Sequence, residues 1–339
     1  MVSESWKALR VVLRADSPIH IGWHNLGMIQ RTRYYIPGRT LWGALASGLA
    51  RSRFASEDVP TMYRFARDLC KQSLRFTYFF AAGSLDQAQD DSKLWRPKYQ
   101  KSGQARRLMY GDKTVAALES MLVYSEASAA IAYGSRTAAQ GALHETEYLL
   151  LEWRESDEAN YAGGHKRLHF AGYVFYRDND GKCGINEEEL KAVFSKLQVG
   201  AERRYGWGRL SLASCKPVDV DSIFFEGYNL QRAMDSATEF TVTTSSEDCE
   251  VYLPSHLVCE PERSNDAHES TSDVSSDYCL QGDVEAVAGR DWSERGSGQR
   301  LSDMEHCWTP GTACVSRGRR FKINEYGLWQ QIHSPSRTM

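Results

Sequence analysis

Hydrophobic periodicity along the first two-thirds of this chain switches between the spacing of strands and that of helices in a fixed order, and that order limits the folds open to it. Residues 8–15, Ala-Leu-Arg-Val-Val-Leu-Arg-Ala, alternate as a half-buried strand does, and Ser17-Pro18 breaks the pattern. Over 40–49, Leu41, Leu45 and Leu49 share one helical face, with Thr40 placed to cap the first turn. Residues 74–80 alternate again. Strands recur at 147–153 and 168–176, the second running into the turn residues Asp178-Asn179-Asp180-Gly181. Asn186 then stands before Glu187-Glu188-Glu189, acids suited to the positive end of a helix, and Leu190, Val193, Phe194 and Leu197 fall on one face. The spacing predicts a helix over 187–197, followed by a strand over 207–213. Strand, helix, strand, then strands, helix, strand predicts an α+β protein built on a ferredoxin-like (RRM-like) βαββαβ unit with insertions, a common platform for RNA.

Charge divides the chain where the periodicity weakens. Residues 1–215 hold 30 Lys and Arg against 23 Asp and Glu, whereas 216–339 hold 11 against 21. Phosphate affinity follows local basic patches and not the whole-chain sum, so RNA is expected on the first part and protein partners on the second. The expected organisation is an RNA-binding domain over 1–215 and a smaller, acidic, mostly β part over 216–339. Residues 260–300, rich in Ser, Asp, Glu and Gly, are expected to form a mobile segment within it. The basic stretch holding Lys93, Arg96, Lys98, Lys101, Arg106, Arg107 and Lys113 reads as an exposed insertion.

Composition excludes several classes. No stretch approaches the roughly 18 uninterrupted apolar residues of a membrane helix, and the N-terminus lacks the apolar core of a secretory signal, so a soluble, cytoplasmic protein is expected. Eight cysteines stand far apart with no C-x-x-C pair, which suits reduced thiols. His256 and Cys259, with Cys249, Cys279, Cys307 and Cys314, come nearest to a metal pattern but lack the tight spacing of zinc ligands; no metal or cofactor is expected.

The sharpest local feature is Gly200-Ala201-Glu202-Arg203-Arg204-Tyr205-Gly206-Trp207-Gly208-Arg209-Leu210. Its glycines let backbone approach a ligand, its arginines supply forked donors matched to phosphate, and Tyr205 and Trp207 offer faces on which bases stack. A dinucleotide fingerprint is excluded, because Ser211 replaces the third glycine and the loop opens a strand, not a helix.

Four segments in order over residues 17–210 together resemble the RAMP superfamily, the repeat-associated RNA-binding proteins of CRISPR systems. Ser17-Pro18-Ile19-His20-Ile21-Gly22 is similar to the end of that family's first strand. Ile36-Pro37-Gly38-Arg39-Thr40-Leu41-Trp42-Gly43-Ala44-Leu45 is similar to its I-P-G-S-S-L-K-G-A-L lead into the first helix. The run from Gly134 through Arg136 to Glu147 is similar to its D-R-x-T-x-x-A-x-x-G-x-L-x-x-x-E segment, and 200–210 to its glycine-rich loop. The resemblance implies a subunit of a type III CRISPR effector ribonucleoprotein that holds the guide RNA (crRNA). RNA-binding positions carried over are Gly38, Arg39, Thr40, Arg136, Arg203, Arg204, Tyr205, Gly206, Trp207, Gly208 and Arg209. Implied partners are crRNA, target RNA indirectly, other RAMP subunits and the large polymerase-like subunit.

Departures from the family refine this. The loop 23–35 contains neither Asp nor Glu, where target-cleaving members carry an aspartate, so a non-catalytic role is expected. Its His24, Arg31 and Arg33 suit binding. That absence and Pro310-Gly311-Thr312, similar to the ending of cap-type members, point to a cap-like subunit near the 5′ handle of the guide. Alternatives are a backbone subunit lining the guide–target duplex, a guide-processing endoribonuclease using His24, and an unrelated protein-interaction module.

Overall fold

In the computed structural model the described residues are 6–153, 166–177, 184–220, 223–225, 228–232, 240–244, 250–259, 280–293, 296–314 and 320–332. The turn at 178–181 and the stretch 260–279 lie outside them. The protein is mixed α+β and mostly strand, in two compact units: Met1–Arg96 with Tyr110–Val218, and Pro97–Met109 with Asp219–Met339.

The first unit opens with β1 (Trp6–Ala15), the pair β2 (Gly22–Leu26) and β3 (Ile29–Thr32), and the short β4 (Tyr35–Ile36). Next come α1 (Gly38–Arg53), α2 (Val59–Ser73), β5 (Leu74–Phe76), β6 (Phe79–Ala82) and the single turn α3 (Leu85–Ala88). After β7 (Pro97–Ser102) and β8 (Ala105–Tyr110), the chain continues through β9 (Lys113–Thr114), α4 (Val115–Leu122), β10 (Val123–Ser128) and β11 (His144–Leu149). It finishes with β12 (Glu152–Trp153), β13 (Lys166–Arg167), β14 (His169–Arg177), α5 (Glu187–Phe194), β15 (Leu197–Gln198) and β16 (Arg209–Val218). The main sheet runs β15-β16-β1-β14-β6-β4, antiparallel throughout, with β5 also on β14. A second sheet, β10-β11-β3-β2, belongs to the same unit.

Burial modifies the expectation for the first strand. Leu9, Val11, Val12 and Leu13 are all buried, and so are all but the last side chain of β14, because both faces of the sheet are covered. Arg10, caught within this core, is matched by Asp91 at 2.6 Å and by the Ala88 carbonyl at 2.7 Å. The predicted strand at 74–80 is split: Thr77 steps out of line, its N–H and Oγ1 pairing with the Tyr173 carbonyl and N–H.

Helix boundaries differ as well. The first helix starts at Gly38, not Thr40. Pro37 is its cap, with φ −62° and an extended ψ of 150°, and its carbonyl accepts from Thr40 N at 3.0 Å and Leu41 N at 3.3 Å. Thr40 therefore sits inside the first turn, and no side chain caps this end. The helix predicted over 187–197 ends at Phe194; Asn186 caps it through Glu189 N at 2.8 Å, and Leu197 enters β15 instead. Periodicity had passed over α2 and α4, which Asp58 and Thr114 cap from their side chains.

In the second unit the described residues from 219 onward hold strands and no α-helix. Tyr228, Phe321 and Trp329 form its aromatic centre, with rings 5.1–6.2 Å apart. The basic stretch is not a free insertion throughout: β7 and β8 up to Met109 belong to this unit, Tyr99 N donates to the Gly311 carbonyl at 2.8 Å, and Arg106 is paired with Glu250. Strands occur within 280–301, in the segment expected to be mobile. Among the described residues no helix is long and apolar enough to cross a membrane.

Candidate nucleic-acid interface

The glycine-rich loop joins β15 to β16 and is held from below by residues 17–20, the segment that follows β1. Gly208 N donates to the Pro18 carbonyl at 2.7 Å, Ala201 N to the His20 carbonyl at 3.0 Å, and Arg209 N to Ser17 Oγ at 2.8 Å. Across the neck, Val199 N meets the Gly208 carbonyl at 2.8 Å, and the Gln198 amide donates to the Arg203 and Trp207 carbonyls at 3.0 and 2.8 Å. Two glycines are required by this frame. Gly200 (φ +76°) passes so close to the segment after β1 that a Cβ would stand 2.1 Å from the His20 carbonyl oxygen, and at Gly208 (φ +77°) one would stand 1.9 Å from that of Val199. The four motifs recognised in the sequence are thus partly one structure, since the strand-end segment 17–22 is the floor of the loop.

On that frame Arg203, Arg204 and Arg209 are exposed, and Tyr205 is 81% exposed. Among the described residues no acceptor engages any of the three guanidinium groups. Four other arginines, Arg10, Arg31, Arg53 and Arg106, each have a carboxylate partner. Three exposed forks near an exposed ring in sequence offer groups matched to a phosphate chain with bases attached.

Trp207 is half-buried, its ring 4.7 Å from that of Tyr148 on β11, which in turn lies 5.9 Å from Tyr124, its cross-strand partner on β10. Neither tyrosine was singled out by sequence; the pairing of β10 with β11 is what aligns them. Burial, then the charge of Glu126 and the neighbouring Tyr124, raises the Tyr148 hydroxyl above its ordinary pKa.

Residues of the 23–35 loop divide. His24 is exposed, edge-on to Trp23 at 4.1 Å. Arg33 lies 5.9 Å from the rings of Trp23 and Tyr35 and donates to the Tyr35 hydroxyl at 3.1 Å. Arg31 turns into the protein, pairing with Glu147 at 2.8 Å and Glu119 at 2.7 Å, while Glu119 also accepts from the Tyr34 hydroxyl. Burial works against the charge on Arg31, but Tyr34 and Glu147 outweigh it and raise its pKa; burial and Glu119 push Tyr34 well above the usual phenol range. His20 is buried, its Nδ1 donating to the Glu147 carbonyl at 2.6 Å.

Gly38, Arg39 and Thr40 form the first turn of α1, directly after β4 at the sheet edge. Arg136 is exposed at φ +55° in the connection between β10 and β11. The strands themselves separate it from the loop, since the pair Ser128–His144 is four residues, about 13 Å, beyond Tyr124–Tyr148. Among the described residues no group of His, Cys, Asp and Glu is arranged to hold a metal ion.

No protein-family model matches the chain, and no curated protein matches it. Solved structures that are similar include a chain of the type III-B Cmr-beta complex bound to cognate target RNA and AMPPnP, at 14% identity and a TM-score of 0.45, covering 90% of this chain and 85% of that one. A chain of the same complex bound to cognate target RNA is similar at 14% identity and 0.43, over 90% and 86%. One from the apo state is similar at 10% and 0.34, over 62% and 97%.

Proposed function

We propose that this chain is a guide-RNA-binding subunit of a type III CRISPR effector ribonucleoprotein, holding the crRNA near its repeat-derived 5′ handle and docking onto neighbouring RAMP subunits in the cytoplasm. The observation that carries the proposal is the set of exposed arginines at 203, 204 and 209, which no acceptor among the described residues engages, displayed with Tyr205 on and beside a loop whose backbone is fixed. The motif resemblance over 17–210 supplies the family, and the order β16-β1-β14-β5/β6, with helices between the first and second and between the third and fourth strands, supports a ferredoxin-like unit. Holding, and not cutting, is favoured because the 23–35 loop has no carboxylate of its own, and Glu147 beside it is occupied by Arg31 and the Thr32 N–H.

Changing Arg203 and Arg204 together to alanine is expected to lower affinity for a labelled repeat-derived RNA about tenfold at moderate salt. The log–log salt dependence should flatten by about 1.4, the counterions of two phosphates on a single strand. Titration of the full chain at several salt concentrations measures both, and an unchanged affinity and slope would contradict the proposal.

A further inference from the structure

We infer that Tyr124, Tyr148 and Trp207 form a base-stacking row that carries single-stranded RNA from the glycine-rich loop onto the sheet made by β10 and β11. The inference rests on the guide-binding role proposed above and adds to it the surface that takes the bases. Three rings follow one another at 5.9 and 4.7 Å, tilted by 59° and 58°, so none closes off the next as a parallel stack would. Tyr124 is 61% exposed, and Tyr148 and Trp207 are half-buried, leaving aromatic surface open along the row.

The placement follows from strand geometry. Neighbouring side chains of β11 point to opposite faces. Glu147 uses one face for its pair with Arg31, which also binds Glu119 on α4, so Tyr148 faces away from that helix and toward Trp207. Tyr124 stands directly opposite Tyr148 across the β10–β11 pair and is held to the same face. At 61% exposure Tyr124 leaves most of its ring open to a ligand, at the end of a row whose other two rings are half-buried.

The chemistry of the row selects bases over phosphates. Glu126, an exposed carboxylate close enough to influence Tyr148, repels a phosphate but accepts from base amino groups. Cationic donors stand instead at the loop end of the row, on Arg203, Arg204 and Arg209. Backbone held at one end and bases laid along the other is the division of labour seen in single-strand binders generally.

The test uses the full chain and a short single-stranded RNA carrying 2-aminopurine at successive positions. Tyr124→Ala with Tyr148→Ala is expected to lower affinity about tenfold and to remove quenching at one or two positions, with the salt slope unchanged. Tyr124→Phe with Tyr148→Phe should keep both. If the double alanine variant unfolds, Tyr124→Ala alone carries the test, because truncating an exposed ring leaves the fold in place. Unchanged affinity and quenching in the alanine variants, while the Arg203/Arg204 variant still weakens binding, would overturn the row and leave guide binding standing. Loss in the phenylalanine pair equal to that in the alanine pair would also overturn it, by assigning the contact to the hydroxyls. If the arginine variant too binds normally, both proposals fall.

Discussion

Gly208→Ala is expected to destabilise the first unit by roughly 3 kcal/mol or more and to abolish measurable RNA binding, whereas Gly206→Ala two residues away should cost about 1 kcal/mol. Both glycines have positive φ, +77° and +88°, so both substitutions bear the left-handed penalty. What separates them is space. At Gly208 the added Cβ meets the Val199 carbonyl oxygen at 1.9 Å, and backbone must move to relieve it, breaking the hydrogen bonds to Val199 and Pro18 that set the loop. At Gly206 the nearest atom is the end of the Arg209 side chain, 3.8 Å away. Thermal melts of the two variants should differ by several degrees, and equal melts would show that the loop is not the fixed frame described above.

Arg31→Ala should destabilise the protein by about 2 kcal/mol and leave the salt slope of RNA binding as it is. The side chain is 23% exposed and bridges Glu147 and Glu119. Its removal leaves two carboxylates and Tyr34 facing one another, a cost that the solvent at the rim of the network reduces from that of a fully buried pair. Arg31→Lys should recover only part of the loss, since one ammonium cannot bridge both carboxylates with the geometry of a fork. A stable Arg31→Ala variant with a flattened salt slope would instead identify Arg31 as a phosphate contact.

Arg31 also marks where sequence stops being informative. An arginine in a polar aromatic loop looks the same whether it faces solvent or a carboxylate 116 residues away on β11, and only the parallel pairing of β11 with β3 brings Glu147 beneath it. The exposure of Arg203 and Arg204 was legible because glycines at 200, 206 and 208 announce a turn too tight to bury two long side chains. The helix at 187 was legible from its cap and acids, while α2 was hidden behind Val59-Pro60, whose proline is tolerated only because it lies in the first turn. Long-range pairing explains the other gaps. Thr77 interrupts a strand that alternation alone would run from 74 to 80, and Tyr124 and Tyr148 become neighbours only through the register of β10 and β11.

Photo-crosslinking tests the central claim most directly. The full chain bound to a repeat-derived RNA containing 4-thiouridine would be irradiated and its peptides mapped by mass spectrometry. Adducts are predicted within residues 200–210, centred on Tyr205 and Trp207. Recovery of that peptide unmodified, with adducts on another surface of the protein, would contradict the account.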